Sequence, residues 1–152
     1  MRVLISTLTA LLVSGCSDPL RPADVVGTYV LTTIQGSPPP RIILDVPGCR
    51  HTVTGGELVL SSDAKFRLTL VEVTACPGPP DPGGDESVLW LGEYSVKGRA
   101  MILTAHSSET VDIPAEFRGE RLVVEVGGHF GVLVFDRTSS QEPPCVLIPP
   151  CS

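Results

Sequence analysis

The feature that most constrains this chain is a period-two alternation of apolar and polar residues that runs through nearly all of it beyond residue 24. In Lys65 to Val73, Phe66, Leu68 and Leu70 point one way while Lys65, Arg67 and Thr69 point the other. Successive side chains of a strand project to opposite faces, so one face is dry and one wet, as in an antiparallel sheet covered on one side. No stretch carries a convincing helical period, and the chain reads as all-β. Glu57 to Ser61 sets Leu58 and Leu60 on one face, and the Ser-Ser-Asp-Ala between the two runs is rich in turn formers. That pair is a hairpin. Further strands are predicted at Val25 to Ile34, Arg41 to Val46, Val88 to Val96, Val111 to Phe117 and Phe130 to Arg137.

Two segments repeat one another. Val96-Lys97-Gly98-Arg99 and Phe117-Arg118-Gly119-Glu120 each run apolar, charged, Gly, charged, and each leads into a strand. Glycine accepts the positive φ of a tight turn, so both are hairpin tips, and their spacing matches two strands with their turns. The repeat implies an up-and-down antiparallel meander of about eight strands. Closure into a barrel removes unpaired edges and leaves an interior filled by side chains or fitted to one small ligand; a two-sheet sandwich is the alternative. Gly and Pro number 15 each, but most of the prolines cluster between patterned runs, as punctuation rather than disorder. The segment Cys76 to Glu86, CPGPPDPGGDE, is an exposed loop and a candidate contact surface.

Ahead of the meander, Arg2 precedes the apolar or small run Val3 to Val13, which ends in Ser14-Gly15-Cys16. That is a signal-peptide layout. Eleven helical residues rise only about 16 Å against a hydrocarbon core of about 30 Å, too short for a permanent span. Val13-Ser14-Gly15-Cys16 resembles the bacterial lipobox. The resemblance implies a signal peptide at 1–15, cleavage after Gly15, acylation of Cys16, an anchor and linker at 16–23, a β-domain at 24–138 and a Pro/Cys-rich tail at 139–152. Two acyl chains suffice for stable anchoring. Ser17, with Asp only at 18, is similar to the outer-membrane sorting pattern, so the expected place is the outer membrane facing the periplasm rather than the inner membrane.

The formal charge of −6 disfavours nucleic acid as a partner. With Cys16 set aside, Cys49, Cys76, Cys145 and Cys151 remain in an exported chain where oxidation is permitted. Four cysteines allow three connectivities. Cys49 and Cys76 both end extended segments, while Cys145 and Cys151 bracket a short tail, and these two pairs are the favoured ones. A zinc site is the competing reading, but there is no CxxC pair and no Cys and His at ligand spacing, so neither metal nor cofactor is expected.

Gly27-Thr28-Tyr29-Val30-Leu31, Pro38-Pro39-Pro40, Gly56-Glu57-Leu58-Val59-Leu60, Gly92-Glu93-Tyr94-Ser95-Val96 and the closing Leu133-Val134-Phe135-Asp136-Arg137 resemble small bacterial lipocalin-like lipoproteins. The likeness implies an antiparallel barrel or half-barrel that binds small apolar molecules. Tyr29 stands where better-characterised lipocalins carry Trp, and their Thr-Asp-Tyr turn is absent. Tyr29, Phe66, Trp90, Tyr94 and Phe117 are the candidate ligand-wall residues, weighed against a plain role in the core. The available bases, His51, His106 and His129, sit in no catalytic signature, and Glu93, Asp112, Glu116 and Glu125 alternate with apolar residues as a wet face does. No enzyme is expected. The alternative to ligand binding is a protein-interaction or hydrolase-inhibitor module using disulfide-held Pro-rich loops.

Overall fold

A computed structural model describes residues 20–77, 86–107 and 109–140. One short helix, α1 (Pro22–Val25), precedes nine antiparallel strands: β1 (Gly27–Ile34), β2 (Arg41–Val46), β3 (Cys49–Leu60), β4 (Lys65–Ala75), β5 (Glu86–Lys97), β6 (Ala100–His106), β7 (Thr110–Arg118), β8 (Arg121–Val126) and β9 (Gly131–Ser139). The sheet order is β1-β9-β8-β7-β6-β5-β4-β3-β2, and an additional β1–β3 pairing closes eight strands into a barrel. The barrel is compatible with a lipocalin-like fold. The expected hairpin is β3–β4, with Leu58 opposite Leu68 and Leu60 opposite Phe66. Gly98 and Gly119 turn the chain at φ 64° and 70°, a region L-residues disfavour, as the repeat required. Helix α1 was not anticipated: Pro22 opens it, and the backbone N–H of Arg21 donates to Asp24 Oδ2 at 2.8 Å.

Closure occurs on β3, which has two partners along one edge. Gly27 to Val30 of β1 pairs with Leu60 to Glu57, and Arg41 to Val46 of β2 pairs with Val53 to Cys49. Beyond Val30, β1 leaves β3 and continues on β9 alone as far as Ile34 opposite Leu133. Ile34 and Ser37 then exchange backbone hydrogen bonds of 2.7 and 3.0 Å around Gln35-Gly36, and the chain returns to β3 as β2. β2 is therefore the ninth, overhanging strand, paired only with β3 among the described residues.

The two ends of the barrel differ. At one, Tyr29 Oη donates to the carbonyl of Val25 and Tyr94 Oη to that of Ser61, each at 2.7 Å. Arg137 donates to the Asp24 carbonyl at 3.1 Å and to that of Val26, and its guanidinium lies 5.7 Å from the Tyr29 ring centroid. The Tyr29 and Arg137 bonds fasten α1 across this closed end, with Val25 fully buried. The interior above it is packed: Leu58, Leu60, Phe66, Leu68, Leu70, Leu103, Leu122, Leu133 and Phe135 are all 0 % exposed. A water-sized void against any of them would expose them, so this part of the barrel is a core of side chains. The opposite, open end carries the β1–β2, β2–β3, β4–β5, β6–β7 and β8–β9 connections.

Candidate functional site

The inner face of the open end holds polar chemistry where the pattern calls for apolar residues. On β4, Glu72 shares the parity of Phe66, Leu68 and Leu70, points inward with them, and is 6 % exposed. Its partner reaches it through a bulge. Counting by twos from Leu60 and Leu58 would turn His51 outward, but the β3–β4 register shifts between Val53 and Gly55, leaving one extra residue, Thr54. Past the bulge, Val53 faces Glu72 and His51 faces Thr74. A one-residue slip moves every later side chain to the other face, so the bulge delivers His51 to the interior side.

His51 Nδ1 lies 2.5 Å from Glu72 Oε1, and Thr74 Oγ1 lies 3.3 Å from the same nitrogen. A carboxylate oxygen accepts the N–H of an imidazole, so Nδ1 is the donor of this contact. Carboxylate and hydroxyl converge on one nitrogen rather than on opposite sides of the ring. A nucleophile-base-carboxylate relay needs both nitrogens, so these three groups do not form one. What they can do is hydrogen-bond and orient a polar group.

On the same inner face, four residues along the strand from the level of Glu72, stands the only tryptophan of the chain, Trp90 on β5, half-buried against the core. Its ring meets Phe130 edge to face at 5.5 Å, and the His129 ring lies 4.4 Å from Phe130. The turn carrying these two rings is tied down by Gln35 Nε2, which donates to the carbonyls of His129 at 3.0 Å and Phe130 at 3.4 Å. Val88 and Ile43 are half-buried in the same way.

Among the residues singled out from sequence, Tyr29, Phe66, Tyr94 and Phe117 are buried, at 1, 0, 5 and 6 % exposure. Tyr29 and Phe117 touch edge to face at 6.1 Å. Trp90 alone of the five is placed at the open end with partial exposure. His106 and His129 are exposed, as are Glu93, Asp112 and Glu125, while Glu116 is half-buried. Cys49 and Cys76 form a disulfide, with Cα atoms 4.2 Å apart, so their thiols hold no metal. The bond pins the β2–β3 hairpin tip to the end of β4, beside a shallow depression of ≈ 290 Å³ lined by Asp45, Gly48, Arg50 and Pro77 among others. Cys16, Cys145 and Cys151 lie outside the described residues, as does most of the Pro-rich loop. Among the described residues, no group of three or more His, Cys, Asp and Glu side chains is placed to hold a metal ion. Glu72, Thr74 and Phe130 were not singled out from sequence, and His51 was read only as an available base; the parity of Phe66, Leu68 and Leu70 is the signal that would have pointed to Glu72. No family model, curated protein or solved structure matches this chain.

Proposed function

We propose that this protein is a lipid-anchored, non-catalytic barrel of the cell envelope that binds a small apolar molecule at its open end. The anchor rests on the lipobox-like run ending at Cys16. The single observation that carries the binding reading is the partly exposed Trp90, packed on Phe130, on the same inner face as the buried Glu72 and its His51. Burying a carboxylate costs several kcal/mol unless it is well paired, and aromatic surface left accessible beside a polar group is what a small-molecule site uses. Because the lower interior is packed, the ligand lies across the mouth rather than deep inside.

Two measurements test this. Intact-mass spectrometry of the chain extracted from membranes should give residues 16–152 plus diacylglycerol on Cys16, and an unmodified Cys16 refutes the anchor. Titration with medium-chain apolar compounds should shift Trp90 emission and raise the melting temperature. No change in either refutes the site.

A second reading is favoured by one observation, the overhanging β2. Its outer edge has no partner strand among the described residues, Ile42 and Val46 are 46 % and 41 % exposed, and the Cys49–Cys76 bond holds the hairpin rigid. Such an edge suits strand addition by a protein partner. A pull-down from envelope extracts that loses its partner when Ile43 is changed to Pro would support it over ligand binding.

A further inference from the structure

We infer that the closed end of the barrel docks on the anionic phospholipid headgroups of the membrane that holds Cys16, so that the open end is directed away from that membrane. This rests on the anchor reading and is independent of what the open end binds.

The tether leaves from the closed end. Leu20 packs against the core just ahead of α1, which lies across that end, and Cys16 stands four residues earlier in the chain. Four residues reach at most about 14 Å. Acyl chains on Cys16 enter the bilayer there, so the headgroups lie close to α1. The longest strands have 12 residues. At ~3.3 Å per residue and a tilt of about 40°, they carry the open end about 30 Å away. The tether alone lets the barrel stand on its closed end or lie on its side. Charge decides between the two.

Cations are concentrated on the closed-end turns. Arg21 precedes α1, Lys65 follows the β3–β4 turn, Lys97 and Arg99 flank Gly98, and Arg118 and Arg121 flank Gly119-Glu120. These are six of the 11 Lys and Arg in the chain. Three have acidic neighbours: Lys65 has Asp63 at 3.1 Å, Arg118 has Glu116 at 2.8 Å and Arg121 has Asp136 at 3.0 Å. Arg137 is spent on the carbonyls of Asp24 and Val26. Asp24 and Glu120 remain against Arg21, Lys97 and Arg99. Lys97, Gly98 and Arg99 are all exposed, and the next acid back along β5 is Glu93, about 13 Å from Lys97 at ~3.3 Å per residue. The Lys97-Gly98-Arg99 tip is thus a positive projection beside the tether, a role for the charges that flank the repeated turn glycines.

The open end has the opposite sign. Glu109, Asp112 and Glu125 are exposed there, each without an ion pair among the described residues. Of the two cations at that end, Arg50 is paired with Asp45 at 3.2 Å and Arg41 is half-buried. A molecule of formal charge −6 is repelled by an anionic surface as a whole, but this polarity turns its closed end toward one. Each cation brought to such a surface shifts the population about fivefold, and the two on the β5–β6 tip together about 25-fold. The tether makes the contact intramolecular, so a weak attraction is enough to set the orientation.

The test uses the mature acylated chain in vesicles of phosphatidylcholine alone or mixed with phosphatidylglycerol, each with a headgroup-spin-labelled lipid that quenches nearby tryptophan. Trp90 of the unaltered protein reports on the open end. Ala100→Trp in a Trp90→Phe background reports on the closed end and alters no charge, since Ala100 is exposed next to Arg99. The closed-end reporter should be quenched about twofold or more harder when phosphatidylglycerol is present, and Trp90 in neither case. Lys97→Glu with Arg99→Glu should abolish the increase, as should about 1 M salt, where the Debye length is about 3 Å. Amide exchange at residues 97–100 of the unaltered protein should slow on the mixed vesicles, which gives the same reading without a substitution. Equal quenching of the closed-end reporter on both vesicles with unchanged exchange, or stronger quenching of Trp90, overturns the docking inference and leaves the anchor standing. An unmodified Cys16 by intact mass removes the anchor, and the inference falls with it.

Discussion

Replacing Phe66 by Ala separates a packed barrel from a hollow one. Phe66 sits on β4 between Leu60 of β3 and Gly92 of β5, fully buried. The ring covers the Gly92 backbone so closely that a Cβ added there would lie 2.9 Å from Phe66 Cε1. Losing the phenyl group forfeits about 2 kcal/mol of transfer free energy. The gap adds more, because the lining is backbone and large side chains locked in the β3, β4 and β5 ladders, so little can collapse into it. Phe-to-Ala losses at such sites run about 3–5 kcal/mol, and the closed lattice places this one near the upper end. At about 3–5 °C per kcal/mol for a domain of this size, the melting temperature should fall by roughly 12–20 °C. Urea unfolding followed by Trp90 fluorescence measures the change directly, with the m-value unchanged if the two-state transition is preserved. A loss under about 1.5 kcal/mol at constant m would refute the reasoning, since Phe66 would then be lining a void rather than filling a core.

Three other outcomes follow from the same contacts. His51→Ala strips the buried Glu72 carboxylate of its partner and should cost about 2–3 kcal/mol, discounted from the ~3–5 of a fully buried pair because His51 is partly solvated; adding Glu72→Leu should restore most of it in chemical denaturation. Burial raises the Tyr29 phenol above its ordinary value of 10.0, against a smaller pull downward from Arg137. The folded state therefore holds this proton longer than the unfolded chain does, so the contribution is complete below pH 10 and is lost as pH climbs through and beyond it. Tyr29→Phe should flatten the fall in stability between pH 10 and 12, while costing about 1 kcal/mol at neutral pH for the lost bond to the Val25 carbonyl. An equally steep fall in both proteins would refute this. Changing both Cys49 and Cys76 to Ser opens a loop with a sequence separation of 27. On the chain-entropy model that costs about 3.5 kcal/mol, and a change under 1 kcal/mol by calorimetry would show that β2–β3 is held without the bond.

Much of the architecture is local in origin and was therefore legible from the chain alone. Alternation through Phe66, Leu68 and Leu70, the Ser-Ser-Asp-Ala turn, and the glycines at 98 and 119 each act within a few residues, and they define strands, hairpins and the meander without reference to anything distant. Parity even marks Glu72 as inward, since it follows Leu70 by two. The tertiary structure decided what depends on register across separate strands. Aromatic side chains that composition could equally assign to a wall or a core became core at Tyr29, Phe66, Tyr94 and Phe117, because closure of β1 onto β3 and the docking of α1 remove them from solvent; Trp90 stays partly exposed beside Phe130. The candidate site turns on one residue: His51 belongs to the wet face by counting from Leu58 and to the interior once Thr54 bulges out. Alternation is a property of neighbours along a strand, whereas a bulge is a property of two strands fitting together, and only the second brings His51 to Glu72.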